Sequence, residues 1–157
     1  MIKGINYKMW TMCMIQDEDK VLLIDRQHGN FKGFIPPGGK VEFPESIVEG
    51  AIREVKEETG LEVSNLIYKG LYEYVNPETK DRYMIFNYLT KDFKGELLED
   101  PPEGRLVWVN LNEVDQLPVQ KSVKRRFPFF FEEGTFEIQV EWDNQKDAEG
   151  KVRMKKT

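Results

Sequence analysis

Residues 39–61 read GKVEFPESIVEGAIREVKEETGL, an amphipathic stretch that places Glu54, Glu57 and Glu58 side by side. Glutamates three and four apart are neighbours on a helix, and their repulsion costs about 0.2–0.5 kcal/mol per pair. The pattern nevertheless predicts a helix from Pro44 or Glu45 to Thr59. Gly60 stands one residue beyond it, as a C-terminal cap, and Glu45 suits the positive N-terminal end. At roughly 100° per residue, Ile47, Val48, Ala51, Ile52 and Val55 share one arc that should face a core. Glu54, Glu57 and Glu58 occupy an adjoining arc, with Gly50 leaving it open, while Glu49 and Lys56 point to solvent. The acidic edge is therefore expected at the rim of the core.

A charge run is most often a solvated face. Here it follows Gly38–Gly39, a pair that bends the backbone tightly and offers its amides and carbonyls without a side chain in the way. Carboxylate oxygens beside such a loop suit a hard divalent cation such as Mg²⁺, which bridges carboxylates to substrate phosphates. A cation would also turn the repulsion into attraction.

Working outward, aromatic and β-branched content predicts strands near 5–15, 21–26, 66–75, 82–90 and 106–110. QDEDK and NPETKD read as turns between strands. RQHGNFKGFIPPGG is a long Gly/Pro-rich connection, and DPPEG a second loop before Trp108; loops of this kind carry function or are disordered. Towards the C-terminus, VQKSVKRRF reads as a basic helix with a solvated face. TFEIQVEW alternates like a strand, and DNQKDAEGK turns into a short final one. Phe129, Phe130 and Phe131 read as core or as dimer contacts, with core the favoured reading. With no linker or repeat, residues 1–157 are expected to form one domain.

The 157 residues carry a net charge of −5, which argues against a protein that coats nucleic acid. No apolar run of about 18 residues predicts a membrane span. The N-terminus lacks an apolar leader pattern, so a cytoplasmic location is expected. The single cysteine, Cys13, lies in an apolar run and reads as a packed thiol suited to a reducing compartment.

The quoted stretch resembles the signature of the Nudix hydrolases: Gly, five residues, Glu, seven residues, then Arg-Glu-aliphatic-any-Glu-Glu-any-Gly-aliphatic. Gly39, Glu45, Arg53, Glu54, Val55, Glu57, Glu58, Gly60 and Leu61 supply every position. The resemblance implies an α/β (α+β) fold, a Nudix-type α/β/α sandwich with a central mixed sheet. It also implies hydrolysis of a nucleoside diphosphate linked to another group, with Mg²⁺ as cofactor and Mn²⁺ as a substitute. It matches Glu54, Glu57 and Glu58 to the metal ligands, adds the carbonyl of Gly38, and makes Arg53 the residue that orients a box carboxylate. Glu45 and Gly60 become structural, and Gly39 and Lys40 sit beside the substrate phosphates, although Lys40 also reads as a solvated lysine. Glu103, five residues before Trp108, takes the place of a general base or extra metal ligand, or is a plain turn residue. Arg26, at the end of a strand, either reaches substrate phosphates or makes a surface ion pair. His28, the sole histidine, is assigned no chemistry.

Size, short loops and the ending FFFEEGTFEIQVEWD resemble the mutator branch, the 8-oxo-dGTP diphosphatases, which cleave a nucleoside triphosphate to monophosphate and diphosphate. Ile35 stands where a relative places a base-reading asparagine, and LPVQKS lacks the paired aspartates of the mammalian form, so selection of an oxidised purine does not follow. ADP-ribose or another nucleoside-diphosphate substrate is the alternative; Pro77, near its marker position, reads as a turn residue. A non-catalytic nucleotide sensor is the alternative of another class. A small-molecule partner is expected, with no nucleic-acid polymer and no membrane, in a monomer or homodimer.

Overall fold

The computed structural model describes residues 4–29 and 32–157; Asn30 and Phe31 of the long Gly/Pro-rich connection lie outside the described residues. Strands β1 (Asn6–Asp17) and β2 (Lys20–Arg26) form the first hairpin. The connection after β2 is not structureless, because it carries two short strands, β3 (Gly33–Ile35) and β4 (Gly38–Lys40). Helix α1 (Ile47–Thr59) leads to β5 (Glu62–Ser64), then β6 (Ile67–Asn76), β7 (Asp81–Thr90), β8 (Asp92–Lys94) and β9 (Arg105–Asn110). A 3₁₀ turn, Leu111–Gln116, precedes α2 (Lys121–Arg126). A second one, Phe127–Phe130, leads to β10 (Phe136–Asp143) and β11 (Ala148–Lys156).

The large sheet runs β11-β10-β6-β7-β1-β2-β3, with β4 paired to β1 and β9 paired to β2. It is mixed, since β1 runs parallel to β7 and β10 parallel to β6, whereas β6–β7 and β10–β11 are antiparallel. The last hairpin is longer than the short strand expected, with nine residues in β11.

Alternation along β1 decides the layering, because successive side chains leave a strand on opposite faces. Cys13 and Ile15 pack with Ala51 and Val55 of α1, Leu22 and Tyr88 on one face. Met12 and Met14 pack with Val123 of α2, Phe130, Phe34 and Leu89 on the other. This is the expected α/β/α sandwich. Val55 has no exposed surface, and its burial contributes on the order of 2 kcal/mol to docking α1. Burial also pushes the Cys13 thiol up to about 12, as suits an inert packed cysteine.

Helix α1 starts later than the pattern predicted. Ser46 is the N-cap, its hydroxyl accepting from Glu49 N–H at 3.1 Å, so Pro44 and Glu45 precede the helix. Gly60 closes it in the left-handed region, at φ 87°, and donates to the Lys56 carbonyl at 3.0 Å. Val48, placed on the core arc by periodicity, is exposed, whereas Ile47 beside it packs against the core. Phe131 is also exposed, whereas Phe130 is fully buried.

The expected solvated face of the basic segment is wrong for two residues. Arg125 chelates Glu149 at 3.0 and 3.1 Å and donates to the Tyr72 hydroxyl at 2.7 Å. Arg126 is buried over the Tyr72 ring, 4.3 Å from its centroid, and donates to Asn87 Oδ1 at 3.0 Å. Pro77 sits in the β6–β7 turn, where Asn76 Oδ1 accepts from the amides of Glu78 and Thr79. Among the described residues, no helix is long and apolar enough to cross a membrane.

Candidate active site

Strand β4 brings Gly38–Gly39 against α1. Register pairs Gly38 with Met12 and Gly39 with Thr11. A Cβ on Gly39 would lie 2.6 Å from Glu54 Oε1, so only glycine leaves room for that carboxylate. Gly38 N–H donates to Glu58 Oε2 at 3.3 Å. The Gly-Gly pair and two of the three box glutamates thus meet as the sequence implied.

The repulsion along the helix is relieved by Arg53. Its guanidinium grips Glu45 at 2.7 and 3.0 Å, Glu54 at 3.1 Å, Glu57 at 3.2 Å and the Lys40 carbonyl at 2.9 Å, which engages all five of its N–H groups. Glu45 also accepts from Glu42 N–H at 2.7 Å. Hydrogen bonding to Arg53 and this amide holds the Glu45 carboxyl down at about 2. Glu45 therefore ties the loop after β4 to α1, and the Cβ of a residue other than Gly50 would meet Glu45 Oε1 at 3.0 Å.

Glu58 has no such relief. Its burial, opposed only in part by Gly38 N–H and reinforced by repulsion from Glu54 and Glu103, pushes its carboxyl up to about 8. Glu54 is raised too, mainly by burial, with Arg53 acting against the shift. The Glu54 and Glu58 carboxyl groups adjoin, and Glu57 is the exposed member, with 58% of its side chain in solvent. Among the described residues, no three acidic, histidine or cysteine side chains form a ready-made metal cage. The physical reason is that Arg53 draws Glu54 and Glu57 towards itself. What the fold supplies is a half-buried pair, Glu54 and Glu58, with the exposed Glu57 beside it.

Glu103 reaches the same place from the β8–β9 loop. Gly104, at φ 145°, packs so tightly on the end of β2 that a Cβ would lie 2.9 Å from the Asp25 carbonyl carbon. Arg26 Nε stands 4.0 Å from Glu103 Oε2, and that Nε is buried without a hydrogen-bond partner among the described residues. His28 Nε2 lies 3.4 Å from the same oxygen. No local pattern signals this last contact, which arises between residues 75 positions apart. Lys40 takes part through its carbonyl; its side chain is exposed.

Two further features were not legible in the sequence. A row of half-buried rings crosses the open sheet face on the α2 side. It starts at Trp10, paired in register with Lys40, and continues through Tyr83 and Tyr74 to Trp142, with centroids 5.4–5.9 Å apart. A cavity of about 820 Å³ lies on the other flank of α1. Ile52, Lys56, Val63 and Phe93 line it, and Glu49 and Lys56, exposed as expected, stand at its edge.

A family model described as the NUDIX domain matches residues 8–130. An uncharacterised Nudix hydrolase, YvcI of Bacillus subtilis, is 31% identical over 112 residues, covering 69% of this chain and 70% of that one. A second B. subtilis protein, named "Putative 8-oxo-dGTP diphosphatase YtkD", is 30% identical over 137 residues, covering 84% and 77%. The crystal structure of a mutator MutT protein from Bacillus halodurans superposes with a TM-score of 0.77 at 29% identity, covering 94% of this chain and 97% of that one. A complete Nudix signature, folded as a strand-loop-helix on a mixed α/β/α sandwich and matched over most of the chain, means that this protein belongs to the Nudix hydrolases, which cleave pyrophosphate bonds.

Proposed function

We propose that the protein hydrolyses a nucleoside triphosphate to the monophosphate and diphosphate, with Mg²⁺ as cofactor and Mn²⁺ as a substitute. The observation that carries this reading is the half-buried Glu54–Glu58 pair against Gly38–Gly39, with Glu103 nearby. The residues fit a hard cation: all donors are oxygens, and the pair carries more negative charge than its surroundings neutralise. Glu54, Glu58, the more exposed Glu57 and the Gly38 carbonyl would hold it. When bound, it would supply charge neutralisation at the phosphates and an acidified water.

The chain's own groups divide the remaining work. Arg53 fixes Glu54 and the loop, so that the carboxylates need little reorganisation. Arg26, at the end of β2 beside Glu103, would take a substrate phosphate oxygen through its guanidinium, with the Gly39 backbone and the exposed Lys40 nearby. Glu103 is the candidate proton acceptor from the attacking water. The Trp10 ring beside Lys40 offers a stacking surface for the base. Residues 1–157 act as one domain in this reading, as a monomer or homodimer in the cytoplasm, where the buried thiol of Cys13 would stay reduced.

The test is a panel of nucleoside triphosphates, oxidised dGTP and ADP-ribose with Mg²⁺, followed by phosphate release after pyrophosphatase treatment for the triphosphates and by chromatography for ADP-ribose. Triphosphate cleavage between the α and β phosphates is expected. Preference for ADP-ribose would replace this substrate, and no turnover of any compound would favour a nucleotide sensor. Glu57→Gln and Glu58→Gln should each remove most turnover in a folded protein; near-normal rates at limiting Mg²⁺ would refute the ligand assignment.

A further inference from the structure

Three groups from two loops meet at the end of β2: Arg26, His28 and Glu103. Close packing of Gly104 on the Asp25–Arg26 backbone sets the position of Glu103, because any Cβ there would strike the Asp25 carbonyl group. The neighbouring acid is not available to compete. Asp25 is held by Arg105 at 3.3 Å and by the Gln27 side chain. Arg26 and His28, two residues apart at the end of β2, thus face the single carboxylate of the opposite loop, at 4.0 and 3.4 Å from its Oε2. Glu103 is 37% exposed, so these two contacts are what hold its carboxylate at the end of β2.

We infer that His28 is a positioning residue, which with Arg26 holds the Glu103 carboxylate in place against Glu58. The inference rests on the proposed role of Glu103 and adds a residue that the Nudix signature does not contain. His28 does not touch the reacting atoms. It acts by holding Oε2 while Arg26 is drawn towards substrate phosphate, the moment at which Glu103 loses its other support. A misplaced base slows the chemical step more than it weakens binding.

The experiment compares wild type, His28→Ala, His28→Gln and Glu103→Gln, with kcat and KM measured separately on the best substrate of the panel. His28→Ala should lower kcat about tenfold with KM within about twofold, and His28→Gln, whose side-chain amide can still donate, should recover most of the loss. A second readout needs no turnover. His28 is the sole histidine, so its imidazole gives one unambiguous NMR resonance, which should move on Glu103→Gln at fixed pH. An unmoved resonance overturns the inference, as does an impaired Glu103→Gln beside an unimpaired His28→Ala. Full activity in Glu103→Gln removes the role of Glu103 itself, and the inference with it. Absence of turnover in wild type would refute the proposed function alone and leave the NMR comparison to decide the contact.

Discussion

Two adjacent glycines should respond to the same substitution in opposite ways. A Cβ on Gly38 would fall inside van der Waals contact of the Thr11 carbonyl oxygen and 2.9 Å from Met12 Cα. Both obstacles are backbone in the central strand, so β4 must shift. Overpacking of this kind costs about 1–3 kcal/mol, and a strained β1–β4 hydrogen bond adds about 1 more. Gly38→Ala should therefore lose about 3 kcal/mol, which lowers Tm by about 6–12 °C in a chain of this length. A Cβ on Gly39 meets only the end of the Glu54 side chain, 2.6 Å from Oε1. That carboxylate can swing aside, and alanine lowers the entropy of the unfolded chain, so Gly39→Ala should stay within about 1 kcal/mol of wild type. Its turnover should fall about 100-fold, because Glu54 moves by about 1 Å from its place beside Glu58. Thermal and urea melts, with nucleotide hydrolysis rates at saturating Mg²⁺, measure both quantities. A Gly39→Ala variant within threefold of wild-type turnover would refute the assignment of Glu54, and an unshifted Tm in Gly38→Ala would refute the packing argument.

Mg²⁺ should raise the Tm of the wild type in proportion to the logarithm of its concentration above Kd, and should do so far less for Glu58→Gln; equal shifts would place the cation elsewhere. Glu149 is held down at about 2 by Arg125, with Lys121 assisting, against an ordinary 4.5. The pair therefore stabilises the fold fully above pH 4.5, and the contribution is lost as pH falls towards 2. Partly exposed as it is, the pair is worth on the order of 1–2 kcal/mol, so Glu149→Gln should flatten the acid limb of a stability–pH curve, and an unchanged limb would contradict the pairing. Asn87→Leu removes the donor to the Gly70 and Ile85 carbonyls and one acceptor of the buried Arg126, which keeps only its Ser122 bonds, and urea unfolding should show a loss of about 3 kcal/mol. A loss under about 1 kcal/mol would mean that water replaces the amide.

Local periodicity was enough to find α1, its glycine cap, the five long strands between residues 5 and 110, and the grouping of Glu54, Glu57 and Glu58 on one helical edge. Each of these depends on neighbours within a turn or an alternation, which the sequence displays directly. The complete signature also determined the family. Tertiary structure decided what lies between distant segments: that Arg53 neutralises the helix carboxylates, that Glu58 is the one left under repulsion, and that Arg125 and Arg126 turn inward. It alone brought His28 and Glu103 together across 75 residues, and set the aromatic row from Trp10 to Trp142 across four strands. Charge sign is written in the sequence, but whether a charge is buried, paired or facing a like charge depends on which segments pack against it, and that is fixed by sheet order and register.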